Sequence, residues 1–434
     1  MTATTSMLLT AVVFVLTLGS GMPIFVGLGI TGAVGSLLFV SFDNLTNLGD
    51  MLFGSLWQVS LLATPGFILM GSIFFRCNFG KDIFDAFEIL LGKLPGGLII
   101  SSIWLGAGFG FICGSNLAGV ATVGQIAIPE VERRGYNRRL SLGAFAIAGT
   151  LAALIPPSLL MIIYAVLAEV SLGALFFAGI IPGILLTVLL SLYIVGRAVA
   201  NPALCPKPAA VTKGSLWTTA KGIFPLVITF VAVFGGIYSG VWSVVEASAA
   251  GALMAIVLAF AYRRLTWKAF VESLDSTLQI LSLVYMIMLA AVLFNHFVFV
   301  SGLSMSLKAA VADLNLPGWG VVTMILVILT IMGMFLDLYA MLLIAIPVFL
   351  PLSIQAGYDA IWFGIVLIVA CELALVTPPV GLNLFIIRRM APEGTTQTDL
   401  DVGALPYVFV VWVLFALMIA FPQIVLWLPH YMVR

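Results

Sequence analysis

Two proline pairs inside long apolar runs limit what this chain can fold into more than any other feature. They are Pro156-Pro157 in GTLAALIPPSLLMIIY and Pro378-Pro379 in CELALVTPPVGLNLF. Each pair removes two backbone donors and interrupts a helix. In hydrocarbon no water replaces the lost bonds, so non-helical backbone persists only where protein buries it or a cavity solvates it. Composition says that hydrocarbon is the surrounding medium: 62% of the 434 residues are hydrophobic and 8% charged, with mean hydropathy +1.23. A soluble domain carries about 25% charged residues. The chain therefore reads as an integral membrane protein with many spans and no sizeable soluble domain. Its 18 basic and 18 acidic residues cancel, which argues against a nucleic-acid partner. Four scattered cysteines give neither a disulfide framework nor a metal cluster. The start, MTATTSMLLTAVV, lacks a basic region and reads as the beginning of a span rather than a cleaved leader.

The proline pairs belong to an internal repeat. Residues 94–158 align without gaps to 316–380 at an offset of 222, with 13 identities in 65 positions. The matches that carry weight are Leu94-Pro95-Gly96 with Leu316-Pro317-Gly318, Pro129 with Pro351, Gly135-Tyr136 with Gly357-Tyr358, and the two proline pairs. Loop charge then gives orientation. The first copy reads PEVERRGYNRRL and the second PLSIQAGYDAIW, which has no Lys or Arg. Residues 41–57 hold Asp43 and Asp50, whereas 263–279 hold Arg263, Arg264 and Lys268. Glu169 follows the first proline pair, and Arg388 and Arg389 follow the second. Short cytoplasmic loops accumulate Lys and Arg, so equivalent loops face opposite sides and the repeat is inverted.

The expected fold is an all-α polytopic membrane protein of two inverted-topology repeats. The first repeat covers 1–200, a cytoplasmic linker 201–221, and the second repeat 222–434, with both termini periplasmic. Spans or connectors are expected near 6–20, 22–40, 41–56, 58–76 and 174–197, and near 222–240, 243–262, 263–275, 276–300 and 404–430. Broken helices fall near 138–168 and 359–388. Residues 95–132 and 317–354 are too long for one span of about 20 residues. Basic residues at both ends of the first (Lys93; Arg133 and Arg134) make it a hairpin that enters and returns on one side. Its tip would be Cys113-Gly114-Ser115-Asn116, and Gly333 to Asp337 would form the second tip.

Freed carbonyls and short polar side chains at such breaks can ligate a hard cation such as Na⁺, and half-helix N-termini suit a carboxylate. Candidate donors are Ser115, Asn116, Thr150 and Ser158 in the first repeat, and Asp337, Thr377 and Asn383 in the second. Glu246 and Glu372 are further carboxylates in apolar runs, a costly placement. His296 is expected at a span end. Trp57, Trp319 and Trp427 suit interfacial anchoring. HExxH, Walker A and G-x-S-x-G patterns are absent from the sequence, so no enzyme is indicated.

Five stretches together resemble the large membrane subunit of TRAP transporters (tripartite ATP-independent periplasmic transporters, DctM-like). They are GSNLAGVATVGQIAIPEVERRGY, GTLAALIPPSLLMIIY, GGIYSGVWSVVEASAAGAL, GMFLDLYAMLLIAIPVFLP and FGIVLIVACELALVTPPVGLNLF. The resemblance spans nearly the whole chain. It implies an elevator-type secondary transporter of the bacterial inner membrane, coupled to inward Na⁺ flow and importing a small organic acid. It also implies a four-helix small membrane subunit and a periplasmic substrate-binding protein as partners, with Na⁺ the coupling ion and no other cofactor. Carried over by motif, the binding residues are Gly114, Ser115, Thr150, Pro156, Ser158, Thr377, Pro378 and Gly381, with Na⁺ at Ser115, Thr150 and Thr377. A stand-alone anion:sodium symporter of similar architecture is the alternative. Positions that the family usually fills with polar residues or Gly are Cys113, Gly119, Val244, Ala370 and Ala374 here.

Overall fold

In a computed structural model, residues 3–39, 45–114, 116–206 and 216–432 are described. Every regular element among them is helical. The first half runs α1 (Ala3–Gly19), α2 (Ile24–Phe39), α3 (Leu45–Leu56), α4 (Ala63–Arg76), α5 (Phe79–Leu91), α6 (Gly97–Cys113), α7 (Asn116–Arg133), α8 (Arg138–Leu154), α9 (Leu159–Leu167) and α10 (Leu172–Ala200). The second runs α11 (Leu216–Tyr238), α12 (Val244–Ala261), α13 (Trp267–Val300), α14 (Leu303–Asp313), α15 (Gly318–Gly333), α16 (Leu338–Gln355), α17 (Ala360–Ala374), α18 (Leu382–Met390), α19 (Gln397–Ala420) and α20 (Gln423–Met432). Shifted back by 222 positions, α16 covers the bounds of α7, and α14 falls on α5.

Among the described residues, seven segments are long and apolar enough to cross a bilayer. The pair α8–α9, bent by 45° at its break, makes an eighth. Side chains such as Val15, Phe260, Phe299 and Phe409 are largely exposed on the outside of the bundle, as a lipid-facing surface requires. Trp57, Trp319 and Trp427 are exposed as well.

Hydrogen bonds and ion pairs gather the basic loops at one end of the molecule. Arg139 pairs with Asp399 at 2.8 Å, Asn137 N–H donates to Leu204 O, and the Tyr262 hydroxyl donates to Lys221 O. Arg264 pairs with Asp82 at 2.5 Å and lies over the Phe79 ring. At the other end, the Tyr164 hydroxyl donates to Ala360 O at 2.6 Å. Thus the loop before α8 meets the loop after α18, and the end of α9 meets the start of α17. At the 222 offset, equivalent loops lie at opposite ends, as inversion demands.

Several boundaries differ from expectation. From Trp267 on, the stretches expected at 263–275 and 276–300 form one helix, α13, because no Gly or Pro interrupts them. Helix α11 starts at Leu216, inside the expected linker, and the linker's Lys207 and Lys213, like Asp43, lie outside the described residues. Helices α5 and α14 occupy 79–91 and 303–313, between the expected spans. His296 does lie near a span end, in the last turns of α13, and its Nδ1 lies 3.0 Å from Ser36 Oγ, joining α13 to α2. Glu246 caps its own helix, exchanging bonds with Ser243 in a capping box, and is exposed. Cys77, Cys205 and Cys371 are free and buried.

Helix α5 ties the basic end together. Arg134, at the foot of the first hairpin, reaches Glu88 at 2.6 Å and Glu130 at 3.1 Å. Replacing Arg134 with Ala leaves two carboxylates facing each other. For a mostly buried site with some solvent screening, a loss of about 1–2 kcal/mol is expected. Lysine should restore only part of it, because one ammonium cannot serve both acids with a planar fork. Thermal unfolding of the purified variants measures both.

Candidate functional site

The site grows from the way each hairpin lies on the broken helix of its own repeat. Helix α6 packs on α8 closely enough that a Cβ on Gly106 would sit 2.2 Å from Ala148 O. Helix α7 packs on α8 as well, where a Cβ on Gly149 would meet Val120. In the second repeat, a Cβ on Gly333 would come within 2.5 Å of Ala374 Cβ, fixing the end of α15 against the end of α17. Small residues replace bulk at every one of these crossings, which is how membrane helices approach without a hydrophobic drive.

The first hairpin turns at Gly114, whose φ of +56° lies in the left-handed region. A Cβ there would stand 2.5 Å from Pro157 O. The tip therefore rests directly on the first proline break. Ser115 lies outside the described residues. Asn116 opens α7, is buried, and donates from Nδ2 to Glu372 Oε2 at 2.5 Å. This contact joins the first hairpin to α17 of the other repeat. The second tip ends at Asp337, which caps α16 by accepting from Ala340 N–H at 2.8 Å. Gly333 lies against Ala374 and Asn116 bonds Glu372, so both tips meet the C-terminal part of α17.

The breaks themselves are built alike. Helix α8 ends at Leu154, and α9 restarts at Leu159 behind Ser158. The peptide bonds Pro156–Pro157 and Pro378–Pro379 are cis. Ser158 is fully buried, makes no cap bond, and its Oγ has no hydrogen-bond partner. Helix α17 ends at Ala374, and α18 restarts at Leu382 behind Gly381, at φ +43°. Asn383 N–H bridges the second break to Leu375 O at 3.0 Å, and Asn383 Nδ2 donates to Ala146 O in α8 at 3.1 Å. That bond ties the second break to the first repeat.

Thr150 Oγ1 donates to Ile147 O at 2.7 Å and Thr377 Oγ1 to Leu373 O at 2.6 Å. Both hydroxyl hydrogens are used locally, the ordinary role of a helical threonine, while the oxygen lone pairs stay available. Four unpartnered buried oxygens fall on these residues, Asn116 Oδ1, Ser158 Oγ, Glu372 Oε1 and Asn383 Oδ1, and four others lie elsewhere, on Thr64, Ser141, Asn295 and Ser353. Among the described residues no three His, Cys, Asp or Glu are placed so that together they could hold a metal ion. The structure therefore joins Gly114, Asn116, Pro156 and Ser158 at the first break, and Thr377, Pro378, Gly381 and Asn383 at the second. Asn116 and Asn383 link the repeats. The Ala146 carbonyl carries no sequence signal of its own; only the fold places it here.

The model of the DctM component of tripartite ATP-independent periplasmic transporters matches residues 10–424. A C4-dicarboxylate TRAP transporter large permease of Pseudomonas aeruginosa is 34% identical, covering 93% of this chain and 94% of that protein. A sialic acid TRAP transporter permease of Haemophilus influenzae is 30% identical over 92% of this chain, which spans 65% of that protein's length. Among solved structures, the Alcanivorax borkumensis YdaH transporter superposes with a TM-score of 0.61 at 16% identity, covering 88% of this chain and 89% of that one, and supports the fold alone. With two broken helices, two hairpins and a family match over nearly its whole length, the chain belongs to the DctM family, the large membrane component of tripartite periplasmic secondary transporters.

Proposed function

We propose that this chain is a Na⁺-coupled carrier subunit that imports a small organic anion, a carboxylate, by an elevator displacement of its hairpin-bearing body. A periplasmic binding protein delivers the anion, and a four-helix small membrane subunit completes the assembly in the bacterial inner membrane, with both termini periplasmic. The observation that carries the reading is the seating of the first hairpin tip on the first break while Asn116 and Asn383 cross to the other repeat. That arrangement brings free oxygens of both repeats beside the broken helices, each of which restarts with its own N-terminus.

The roles divide by chemistry. Ser115, Thr150 and Thr377 offer hydroxyl oxygens to Na⁺, which prefers hard oxygen ligands. The first turns of α9 and α18, behind Ser158 and Gly381, offer N–H groups to a carboxylate. The Pseudomonas relative is named for C4-dicarboxylates, so a C4-dicarboxylate is the first substrate to test.

The test is uptake of a labelled C4-dicarboxylate by the assembled three-component transporter in proteoliposomes under an inward Na⁺ gradient. Thr150→Ala and Thr377→Ala should each raise the Na⁺ concentration for half-maximal uptake about tenfold, the loss of roughly one ligand's worth of free energy. Unchanged Na⁺ dependence in both variants, or full uptake by this chain alone, would overturn the reading.

A further inference from the structure

A cavity of about 770 Å³ lies at the end of the molecule opposite the basic loops, and the roles above do not use it. Its volume is that of a small-ligand site, about 300–1,000 Å³. Helices α15 and α17 begin at it, α16 and α19 end at it, and α20 adds Leu426. The loop between α16 and α17 shapes its floor. Gly357, at φ +91°, turns the chain after α16. Asp359 then caps α17, its Oδ1 accepting from Ile361 N–H at 2.7 Å and Trp362 N–H at 3.4 Å. A Cβ on Gly318 would stand 2.3 Å from Ala356 O, so the start of α15 is fixed against the same loop.

The lining has a definite chemistry. It contains three aromatic rings, one carboxylate, and no Lys, Arg or His. Tyr358 stacks on Trp362, with ring centroids 4.2 Å apart and planes 28° from parallel. Trp362 is fully buried, and its Nε1 donates to Met418 O at 3.2 Å. The stack is therefore fixed from behind, and the half-buried Tyr358 keeps one ring face for a ligand. Trp319 stands at the mouth, 62% exposed. Asp359 is exposed, accepts its two bonds through Oδ1, and belongs to none of the ion pairs among the described residues. Ring faces and an unpaired carboxylate attract a cation, whereas an anion would meet no cationic partner here.

The surroundings say where that cation comes from. Trp319, Phe421 and Trp427 are exposed at this end, the level at which aromatic side chains meet lipid headgroups. Ile419, Ala420 and Leu426 add an apolar wall to the polar floor. A ligand with an ammonium at one end and hydrocarbon at the other matches both, and the bilayer supplies one.

We propose that this cavity binds the headgroup of a phospholipid of the phosphatidylethanolamine class, from the leaflet at this end of the molecule. The ammonium lies over the free face of Tyr358 beside Trp319, within the roughly 6 Å over which a ring attracts a cation. It donates an N–H to Asp359 Oδ2, and the acyl side of the lipid lies along Ile419 and Leu426. A lipid seated there ties the foot of the second hairpin to α17 and α19, so it stabilises the body that carries the second break. No transport step enters this inference.

The experiment is native mass spectrometry of the purified chain, with phosphatidylethanolamine, phosphatidylcholine and phosphatidylglycerol of equal chain length added in turn. The ethanolamine lipid should bind tightest and raise the thermal unfolding temperature most. The choline lipid should bind more weakly, because its trimethylammonium has no N–H to donate. The glycerol lipid should bind weakest. Asp359→Asn keeps a capping oxygen, so α17 still starts normally, yet it should weaken ethanolamine-lipid binding about tenfold. Trp319→Leu, on an exposed side chain, should weaken it by about fivefold. Trp427→Leu, outside the cavity, should change nothing. Equal binding of the three lipids would overturn the proposal, as would unchanged ethanolamine-lipid binding in both Asp359→Asn and Trp319→Leu. Equally tight binding of soluble glycerophosphoethanolamine would overturn the lipid assignment in favour of a dissolved amine. Lost uptake in these variants, equal in vesicles with and without the ethanolamine lipid and with no lipid bound to the wild type, would give the face to the periplasmic binding protein and overturn it too. Each of these results leaves the carrier reading standing.

Discussion

Replacing Gly114 with leucine should reduce substrate uptake about a hundredfold while the protein still inserts and folds. Two costs meet at this position. A leucine at φ +56° sits in a region that disfavours side chains by roughly 1–2 kcal/mol. Its Cβ would also press on Pro157 O at 2.5 Å, and a backbone oxygen cannot rotate away. The cheapest relief is to lift the tip from the break, which also pulls Asn116 from Glu372. A closed state made rarer by about 3 kcal/mol lowers turnover about a hundredfold. Gly114→Ala should fall between, since it shares the φ penalty but carries less bulk. Uptake per correctly inserted molecule, with size-exclusion profiles as the folding control, measures the effect. Wild-type uptake by the leucine variant would mean that the tip does not need to seat on Pro157 during the cycle.

The features that sequence made legible are those whose physics is local. A proline pair ends a helix wherever it stands, so both breaks fell where expected. Glycine and short polar residues marked both hairpin tips, and α7 and α16 share their bounds at the 222 offset. Helix α5, at 13 residues, is too short to carry the signal of a bilayer span. Its Phe79, Ile83 and Phe87 recur every fourth residue beside Lys81, Asp82, Asp85 and Glu88, the pattern of a short amphipathic helix. Partners across the repeats were not legible at all. Asn383 reads as a binding residue from its motif, yet its amide is bonded to a backbone carbonyl that any residue at position 146 would supply. Glu372 was visible as a misplaced charge, but its connection to Asn116 depends on how two distant segments pack. Glu246 shows the same signal with a local answer, a capping box.

Replacing Gly143 with leucine should cost most or all of the folded protein, and the reason lies in how the halves interlock. A Cβ on Gly143 of α8 would stand 2.2 Å from Gly403 O, and one on Gly403 of α19 would stand 2.4 Å from Arg139 O. Both obstacles are backbone, so no rotamer change relieves them. Helix α19 cannot move aside freely: the Tyr407 hydroxyl donates to Leu140 O at 2.7 Å, and Trp362 Nε1 of α17 donates to Met418 O at 3.2 Å. Helix α19 thus holds the helix before each break, one from each repeat. Overpacking ordinarily costs about 1–3 kcal/mol, and a backbone-to-backbone seam inside a rigid body belongs at or above the top of that range. Gly196→Leu is the control, because a Cβ there meets nothing within 4 Å on the exposed side of α10. It should be neutral or stabilising by up to about 1 kcal/mol, since glycine is a poor helix former. Combining Gly143→Leu with Gly403→Leu should cost less than the two single effects together, as both open the same seam. Fluorescence-detected size exclusion with a thermal ramp compares all four variants. A well-folded Gly143→Leu protein would show that the two repeats are not locked together through α8 and α19, and that the broken helices could move independently.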